Sequence, residues 1–542
     1  MWSTALVGSV GMWMESVMAG FVMAQLTHVP SLVAALPVAV ALPGIIFALP
    51  SGAVGDATDR RLVLLSAKTV FLLGVTGLAL LAVAGGLSPF GLLVFMAMLG
   101  TAGTFSAPAW WATLGEIVPE VLLPRALSLD GLQFNLGQMI GPVLGGVLLA
   151  TIGAGGMFAV AAALMTGLVA FLFVWQGRHR RRPFTPGHGS AERMAGAVAV
   201  GLRYLRNAPA LQLTCWRTFL FVLPASALSA LLPLLASRGL GVGAVDYGLL
   251  LSAVGLGSVI GALALPKLHE RFHLDVMLGT VSLFWAACTA VLALAHDRVV
   301  AGIALAGTGG AWLIAFTALN LSAQQAVPRW VLSRALGAYL MVFQTSIFLG
   351  GLLWGGVADV IGVRLALLVA CGAVLPGVLL VHLLGLPVVD RHDMQVVARP
   401  QPDLMVEPGE EDGPVMVLVD YQVDQEDYRE FVDAMDELRA VRRRTGVTRW
   451  GLFEDARRPG RFLESFVVPS WGGYLLQRNR YTAFDLRTFD AATALNSCGE
   501  PCVSYFVDLE LTLTRQRRAR WRRWRGLGPQ RLGPKGRLPR NH

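Results

Sequence analysis

The chain has 542 residues, 55% of them hydrophobic and 15% charged, with a formal net charge of +9 and a mean hydropathy of +0.59. That balance excludes an ordinary soluble globular protein. Five cysteines, Cys215, Cys288, Cys371, Cys498 and Cys502, are too few and too scattered for a disulfide framework.

The apolar residues come in blocks of about 20, long enough to cross a bilayer. About twelve spans are expected: 4–26, 31–54, 62–84, 89–110, 126–151, 155–175, 210–236, 246–266, 275–295, 299–323, 333–358 and 364–386. Met1 leads almost at once into apolar residues with no basic start, so the first span is expected to stay as an anchor. Basic residues cluster in alternate loops. They are Arg60 and Arg61 after span two, Arg125 before span five, a run from Arg178 to Arg206 after span six, Lys267 and Arg271 after span eight, and Arg329 and Arg334 after span ten. The other loops hold only Arg238, Arg298 and Arg364. The positive-inside rule therefore places both termini in the cytoplasm of a multi-pass cell-membrane protein, and the alternation supports the span count.

The gap between spans six and seven divides the membrane part into two six-helix halves, 1–176 and 210–386, joined by a basic loop, 177–209. Within that loop Met194, Val198, Leu202 and Leu205 recur at helical spacing beside Arg193, Arg203 and Arg206, the pattern of an amphipathic helix on a lipid surface. Two six-span halves are the layout of a secondary transporter built from repeats.

After Leu386 the apolar blocks stop. Residues 387–413 are rich in proline and acid and read as a linker. A soluble module follows over 414–512. Strands are expected at 415–423, 448–453, 461–468 and 502–511, with helices at 425–444, 470–480 and 483–495, a βαββαβ order typical of ferredoxin-like α+β domains. The fold class is thus an all-α polytopic membrane protein with a small C-terminal α+β domain. The tail, 513–542, is basic with Trp521 and Trp524 among its arginines, a composition suited to anionic lipid rather than nucleic acid.

Three stretches carry a family resemblance. The loop after span two runs from Gly52 through Asp56 to Asp59, Arg60 and Arg61. It resembles the Gly-x3-Asp signature, followed by a basic pair, of the major facilitator superfamily, although Ala57 and Asp59 replace a basic residue and a glycine. In span five, Gly137, Gly141, Pro142, Gly145 and Gly146 match the small and proline positions of the motif of that superfamily's antiporter branch. The runs Ser106–Pro119 and Leu129–Asn135 resemble the enterobactin-exporter-like group, which includes macrolide-efflux-type proteins. In one branch of that group a cytoplasmic module follows the spans, and Arg449–Asp455 with Pro459–Phe466 resemble it closely.

The resemblance implies a cytoplasmic gate role for Gly52, Asp56, Arg60 and Arg61, and export of a small organic molecule, siderophore or drug-like. The rivals are an importer of the same superfamily, a permease fused to a ligand-binding or enzymatic domain, and a sensor that transports nothing. A near-echo, Gly355-x3-Asp359, falls on the external side and reads as repeat history.

On a helix Gly137, Gly141 and Gly145 form one smooth stripe, on which a second helix packs closely. The expected partner is span eight, where Gly257 and Gly261 repeat the spacing, making a seam between the halves. Charges within spans need a reason. Glu15 lies halfway along span one; it either carries protons or, permanently protonated, bonds to a neighbouring helix. Asp130 either takes a proton from the inner side, pairs with Arg217, or is an interfacial residue at a helix start. Arg217 either lines the cavity or snorkels to the surface. Gln133, Asn135, Gln138, Asn320, Gln324 and Gln344 are candidates to hydrogen-bond a ligand, and Trp13, Trp110, Trp111, Phe134, Phe219 and Trp312 to supply apolar walls. Histidines are scattered, and Gly-x4-Gly-Lys-Ser/Thr is absent, so neither a metal nor a nucleotide cofactor is expected and the chain does not read as an enzyme. The expected partners are a small-molecule substrate, protons and the bilayer, with possible dimerisation through 414–512.

Overall fold

In a computed structural model, residues 2–57, 59–119, 122–178, 200–328, 330–383, 395–397, 402, 404 and 408–508 are described. Most of the basic loop, most of the linker, the end of the last strand and the basic tail lie outside these residues. The described residues form two compact units, one helical and one α+β.

The helical unit contains α1 (Trp2–Leu26), α2 (Pro30–Ala57), α3 (Arg60–Val83) and α4 (Pro89–Ile117). The next stretch, Leu123–Arg178, is two helices, α5 (123–152) and α6 (154–178), which meet at Gly153. There the backbone takes φ 71° and ψ 179°, a conformation that glycine alone adopts without strain. Then come α7 (Pro209–Leu234), which runs on into a π turn, α8 (Ala244–Arg271), α9 (Leu274–Leu294), α10 (Arg298–Gln325) and α11 (Leu332–Ile361). The expected last span is two short helices, α12 (Val363–Gly372) and α13 (Leu375–Leu383). Among the described residues, eleven helical stretches are long and apolar enough to cross a membrane, the longest being the 46 residues around Gly153. Of the amphipathic helix expected over 191–207, residues 200–206 are helical, Asn207 is in a turn and 191–199 lie outside the described residues.

Local chemistry explains several boundaries. Ser88 caps α4, its hydroxyl accepting from Gly91 N–H, with Pro89 at the first helical position. Asp297 caps α10 by accepting from Val299 and Val300 N–H. Asp59, one of the two residues that depart from the gate signature, caps α3 by accepting from Arg61 N–H at 3.0 Å. One buried apolar cluster runs from the N-terminal into the C-terminal half through Met18, Phe21, Leu231, Tyr247 and Trp354. A second, with Trp285 and Phe221, lies within the C-terminal half.

The α+β unit contains β1 (Val415–Gln422), α14 (Tyr428–Thr445), β2 (Arg449–Glu454), β3 (Arg461–Val468), α15 (Trp471–Arg478), α16 (Ala483–Ala494) and β4 (Cys502–Val507). The sheet is antiparallel throughout, in the order β2-β3-β1-β4. Alternate residues of β1, Val415, Val417, Val419 and Tyr421, point inward onto Phe431, Met435 and Leu438 of α14. Part of the segment read as a linker is tied to this unit. Val396 bridges to Thr482, Gln395 C=O accepts from Ala483 N–H at 3.1 Å, and Asp412 C=O accepts from Trp471 N–H at 2.7 Å.

Candidate functional site

The glycine stripe of α5 organises the N-terminal half, but its partner is α1 rather than α8. A Cβ on Gly137 would lie 2.7 Å from Ser9 Cβ, one on Gly141 would lie 2.8 Å from Val10 C=O, and one on Gly145 would lie 2.7 Å from Met18 Cγ. The expected match with Gly257 and Gly261 is therefore corrected: those glycines accommodate α10, at Ala306 and Gly310. The seam between the halves runs one residue further round α5. Pro142 C=O abuts Gly248, Gly146 abuts Ala244 C=O, and a Cβ on Gly255 would lie 2.9 Å from Met139 Cα. Ser252 Oγ also donates across this seam to Met139 C=O at 2.6 Å.

The close approach of α1 brings polar groups together. Ser9 Oγ donates to Gln133 Oε1 at 2.6 Å, and Gln133 Nε2 donates to Asp130 Oδ1 at 3.2 Å. The same oxygen accepts from Trp110 Nε1 of α4 at 2.8 Å. Asp130 thus ends a relay across α1, α5 and α4. The sequence does not single out Ser9, and Trp110, expected to supply an apolar wall, donates its N–H here. A serine on an apolar helix carries no distinguishing signal until its partner is known.

Glu15 lies six residues further along α1, about 9 Å up the helix. Its side chain is fully buried, and neither carboxylate oxygen has a hydrogen-bond partner among the described residues. The Trp13 indole N–H is likewise buried without a partner, its ring edge-on to Phe134 at 5.4 Å.

Arg217 is buried in α7, and its Nη1 donates to Asp275 Oδ1 of α9 at 2.6 Å. The alternative that paired Arg217 with Asp130 is therefore corrected, and Arg217 does not snorkel. Asp275, in the first turn of α9, was missed; an acid at the start of an apolar span was its signal. Beside this pair Thr214 Oγ1 and Ser322 Oγ are 3.0 Å apart.

The remaining polar candidates are spread out. Asn135 Nδ2 donates to Gly131 C=O of its own helix at 2.9 Å, and Gln138 is half-buried. Asn320 is half-buried, with Gln324 Nε2 3.5 Å from its Oδ1. Gln344 of α11 lies over Gly44 of α2, where a Cβ would be 2.5 Å from Gln344 Nε2. Trp312 stacks on Phe316 (6.4 Å, 8°) and on Phe221 (6.0 Å, 29°), with Phe343 5.3 Å from Phe316, so the aromatic wall is larger than Trp312 alone. Of the gate motif, the side chains of Gly52, Asp56 and Arg60 lie outside the described residues. The backbone places Gly52 and Asp56 in the last turns of α2 and Arg60 at the start of α3.

In the α+β unit the buried Glu464 accepts from Arg442 Nε at 2.8 Å, Arg442 Nη2 at 3.0 Å and Trp450 Nε1 at 2.9 Å. Arg442 Nη1 donates to Tyr481 Oη at 2.8 Å, and its guanidinium lies 4.1 Å from the centre of the Phe466 ring. Burial opposes the Arg442 charge, but Glu464 and Tyr481 outweigh it and hold the guanidinium further above its ordinary range. Asp455 is held below the usual carboxylate range by the Arg457 backbone N–H and by Arg461. Cys498 and Cys502 are exposed and free, and among the described residues no group of three or more histidine, cysteine or acidic side chains is placed to hold a metal.

Known proteins resemble the chain over most of its length. The family model described as "Transmembrane secretion effector" matches residues 1–512. The enterobactin exporter EntS of Citrobacter koseri is 29% identical over 62% of this chain and 79% of its own. The uncharacterized MFS-type transporter YfiS of Bacillus subtilis is 26% identical over 70% of this chain and 90% of its own. Among solved structures, a POT family transporter in complex with 5-aminolevulinic acid aligns with TM-score 0.56 and 14% identity, covering 70% of this chain and 94% of that one. At that identity the likeness shows the fold alone.

Proposed function

Because the chain belongs to the transmembrane secretion effector family of major facilitator transporters, we propose that it exports a small organic molecule, siderophore or drug-like, in exchange for protons. The observation that carries the proton coupling is Glu15, a fully buried carboxyl with no partner among the described residues. An ionised carboxylate in such a place is costly unless it is paired, so the site favours the protonated acid when closed. Protonation from outside neutralises it and biases the two halves toward one of two arrangements. The halves rock about a central site, exposing it alternately to each side.

Export rather than import is supported by the antiporter glycine motif and by the relatives named as enterobactin exporters. In this reading both termini are cytoplasmic, and the break at Gly153 makes two crossings of one long apolar stretch, so the bundle has twelve. Asp130 with Gln133 and Ser9 forms the inner proton path. Gln138, Asn320 and Gln344 with the Trp312 cluster contact substrate, and Gly52, Asp56, Arg60 and Arg61 gate the cytoplasmic side. The α+β unit, ferredoxin-like in strand order, is a dimerising or regulatory cap. Its buried Glu464 is committed to Arg442, its buried Asp485 to Arg444 and Asp455 to Arg461, which leaves none of them for catalysis.

Transport into inside-out vesicles with an acidic lumen tests the proposal. Uptake of siderophore-like or drug-like compounds is expected, and Glu15→Gln is expected to abolish the pH-driven component while sparing exchange. Unchanged proton coupling in Glu15→Gln rejects the assignment, and no uptake of any tested compound counts against export.

A further inference from the structure

The three arginines outside the positive-inside pattern, Arg238, Arg298 and Arg364, are all engaged. Two act within the C-terminal half: Arg298 Nη1 lies 3.3 Å from Asp246 Oδ2, and Arg364 Nη2 donates to Gly239 C=O at 3.0 Å. Arg238 crosses to the other half. Its Nη2 donates to Ala24 C=O at 3.2 Å and Thr27 C=O at 2.7 Å, and its Nη1 to His28 C=O at 3.0 Å. These carbonyls close the C-terminal end of α1, where backbone acceptors run out of intrahelical donors and the helix dipole is negative.

On the other side of the short α1–α2 connection the charge is reversed. Asp359, near the end of α11, accepts from Ser31 N–H at 3.1 Å. Ser31 is in the first turn of α2, where the dipole is positive and N–H groups are unfilled. One cation and one anion of the C-terminal half therefore cap the two helix ends that flank residues 27–29.

The packing beneath is close enough for these bonds to depend on the halves staying together. A Cβ on Gly355 would lie 2.9 Å from Ser31 Cα, and one on Gly351 would lie 3.1 Å from Ala34 C=O. Further in, Phe21 of α1 stacks on Tyr247 of α8 at 5.0 Å. The Gly355-x3-Asp359 echo, read from sequence as repeat history, thus makes a cross-half contact.

We infer that Arg238 and Asp359 are positioning residues of a latch that holds this end of the two halves shut, opposite the end carrying the Gly52–Arg61 gate. The latch breaks when this end opens. Its consequence for transport rests on the alternating-access reading above, but the contact itself does not. Each bond involves a charged group, so losing one shifts the closed-to-open ratio by roughly tenfold.

The experiment uses the full chain in lipid nanodiscs, with its native cysteines replaced by serine and spin labels on Val83→Cys and Leu294→Cys. These positions are 75% and 62% exposed at the same end of α3 and α9. Arg238→Ala and Asp359→Ala are each expected to move the distance population to longer values, and more so together. Arg238→Lys and Asp359→Asn, which keep a donor and an acceptor, are expected to shift it less. Arg298→Ala, whose bond stays within one half, is expected to leave it unchanged.

An unchanged distribution in the Arg238→Ala, Asp359→Ala double variant overturns the latch. So does an equal shift in Arg298→Ala. Should an alanine variant fail to fold, the lysine and asparagine variants compared with Arg298→Ala decide alone. The measurement needs no substrate and no proton gradient, so failure of the export reading leaves it intact.

Discussion

Among the described residues two glutamates are fully buried, one in each unit, and they are opposites. Glu464 accepts three hydrogen bonds, two from Arg442 and one from Trp450. Glu15 accepts none from the described residues. A paired, fully bonded acid is part of a fold's framework. An acid left bare in an apolar helix bundle contributes nothing to holding it together, which is what the proposed proton-carrying role requires of Glu15. Elsewhere in the helical unit charged groups are partnered: Asp130 is bonded twice and Arg217 has Asp275.

Four outcomes test that contrast, in falling order of effect on stability. Arg442→Ala leaves Glu464 buried with only Trp450 as donor, and about 3–5 kcal/mol of α+β unit stability is expected to go. Denaturant unfolding followed by tryptophan fluorescence measures it, and a loss under ~1 kcal/mol would break the paired side of the comparison.

Trp110→Phe removes one donor to Asp130 in the helical unit. Bonds between membrane helices contribute about 0.6 kcal/mol and at most ~1.7, so a small fall in thermal stability in lipid is expected.

The third outcome is a pH effect. Burial pushes the Tyr481 phenol above its ordinary value of 10.0, with Arg442 opposing. The fold thus favours the neutral phenol, and this contribution is complete below about pH 10 and declines as pH rises through the folded value. Tyr481→Phe is expected to flatten the alkaline limb of the melting curve; an identical limb would show that another group controls it.

Glu15→Gln is expected to change stability least, under ~0.6 kcal/mol, because no bond is lost. A large loss of melting temperature would mean that Glu15 is framework after all.

Much of the architecture was legible before the structure. Span limits follow from apolar block length, and β3 begins just after Gly460, whose φ of 84° fits the turn read at Pro459-Gly460. Glu15 stood out because a charge in an apolar run is rare. Partnerships were less legible. Helical periodicity shows that Gly137, Gly141 and Gly145 share a face, but not whether α1 or α8 lies on it. A one-residue offset, to Gly146, decides which helix pair forms the seam. Arg442 and Glu464 sit 22 positions apart on a helix and a strand, and Arg238 and Thr27 sit 211 apart, so nothing local links them. Trp110 was read by its ring, while its N–H makes the bond.

The connections at the latched end are all short: 27–29, 84–88, Gly153, 240–243, 295–297 and Gly362. In the proposed orientation, with both termini cytoplasmic, this is the face turned to the outside world. It offers antibodies, proteases and phage almost no loop to grip. Inserting an epitope tag there would mean breaking a helix or a cap, so mapping this surface calls for small single-site labels rather than insertions.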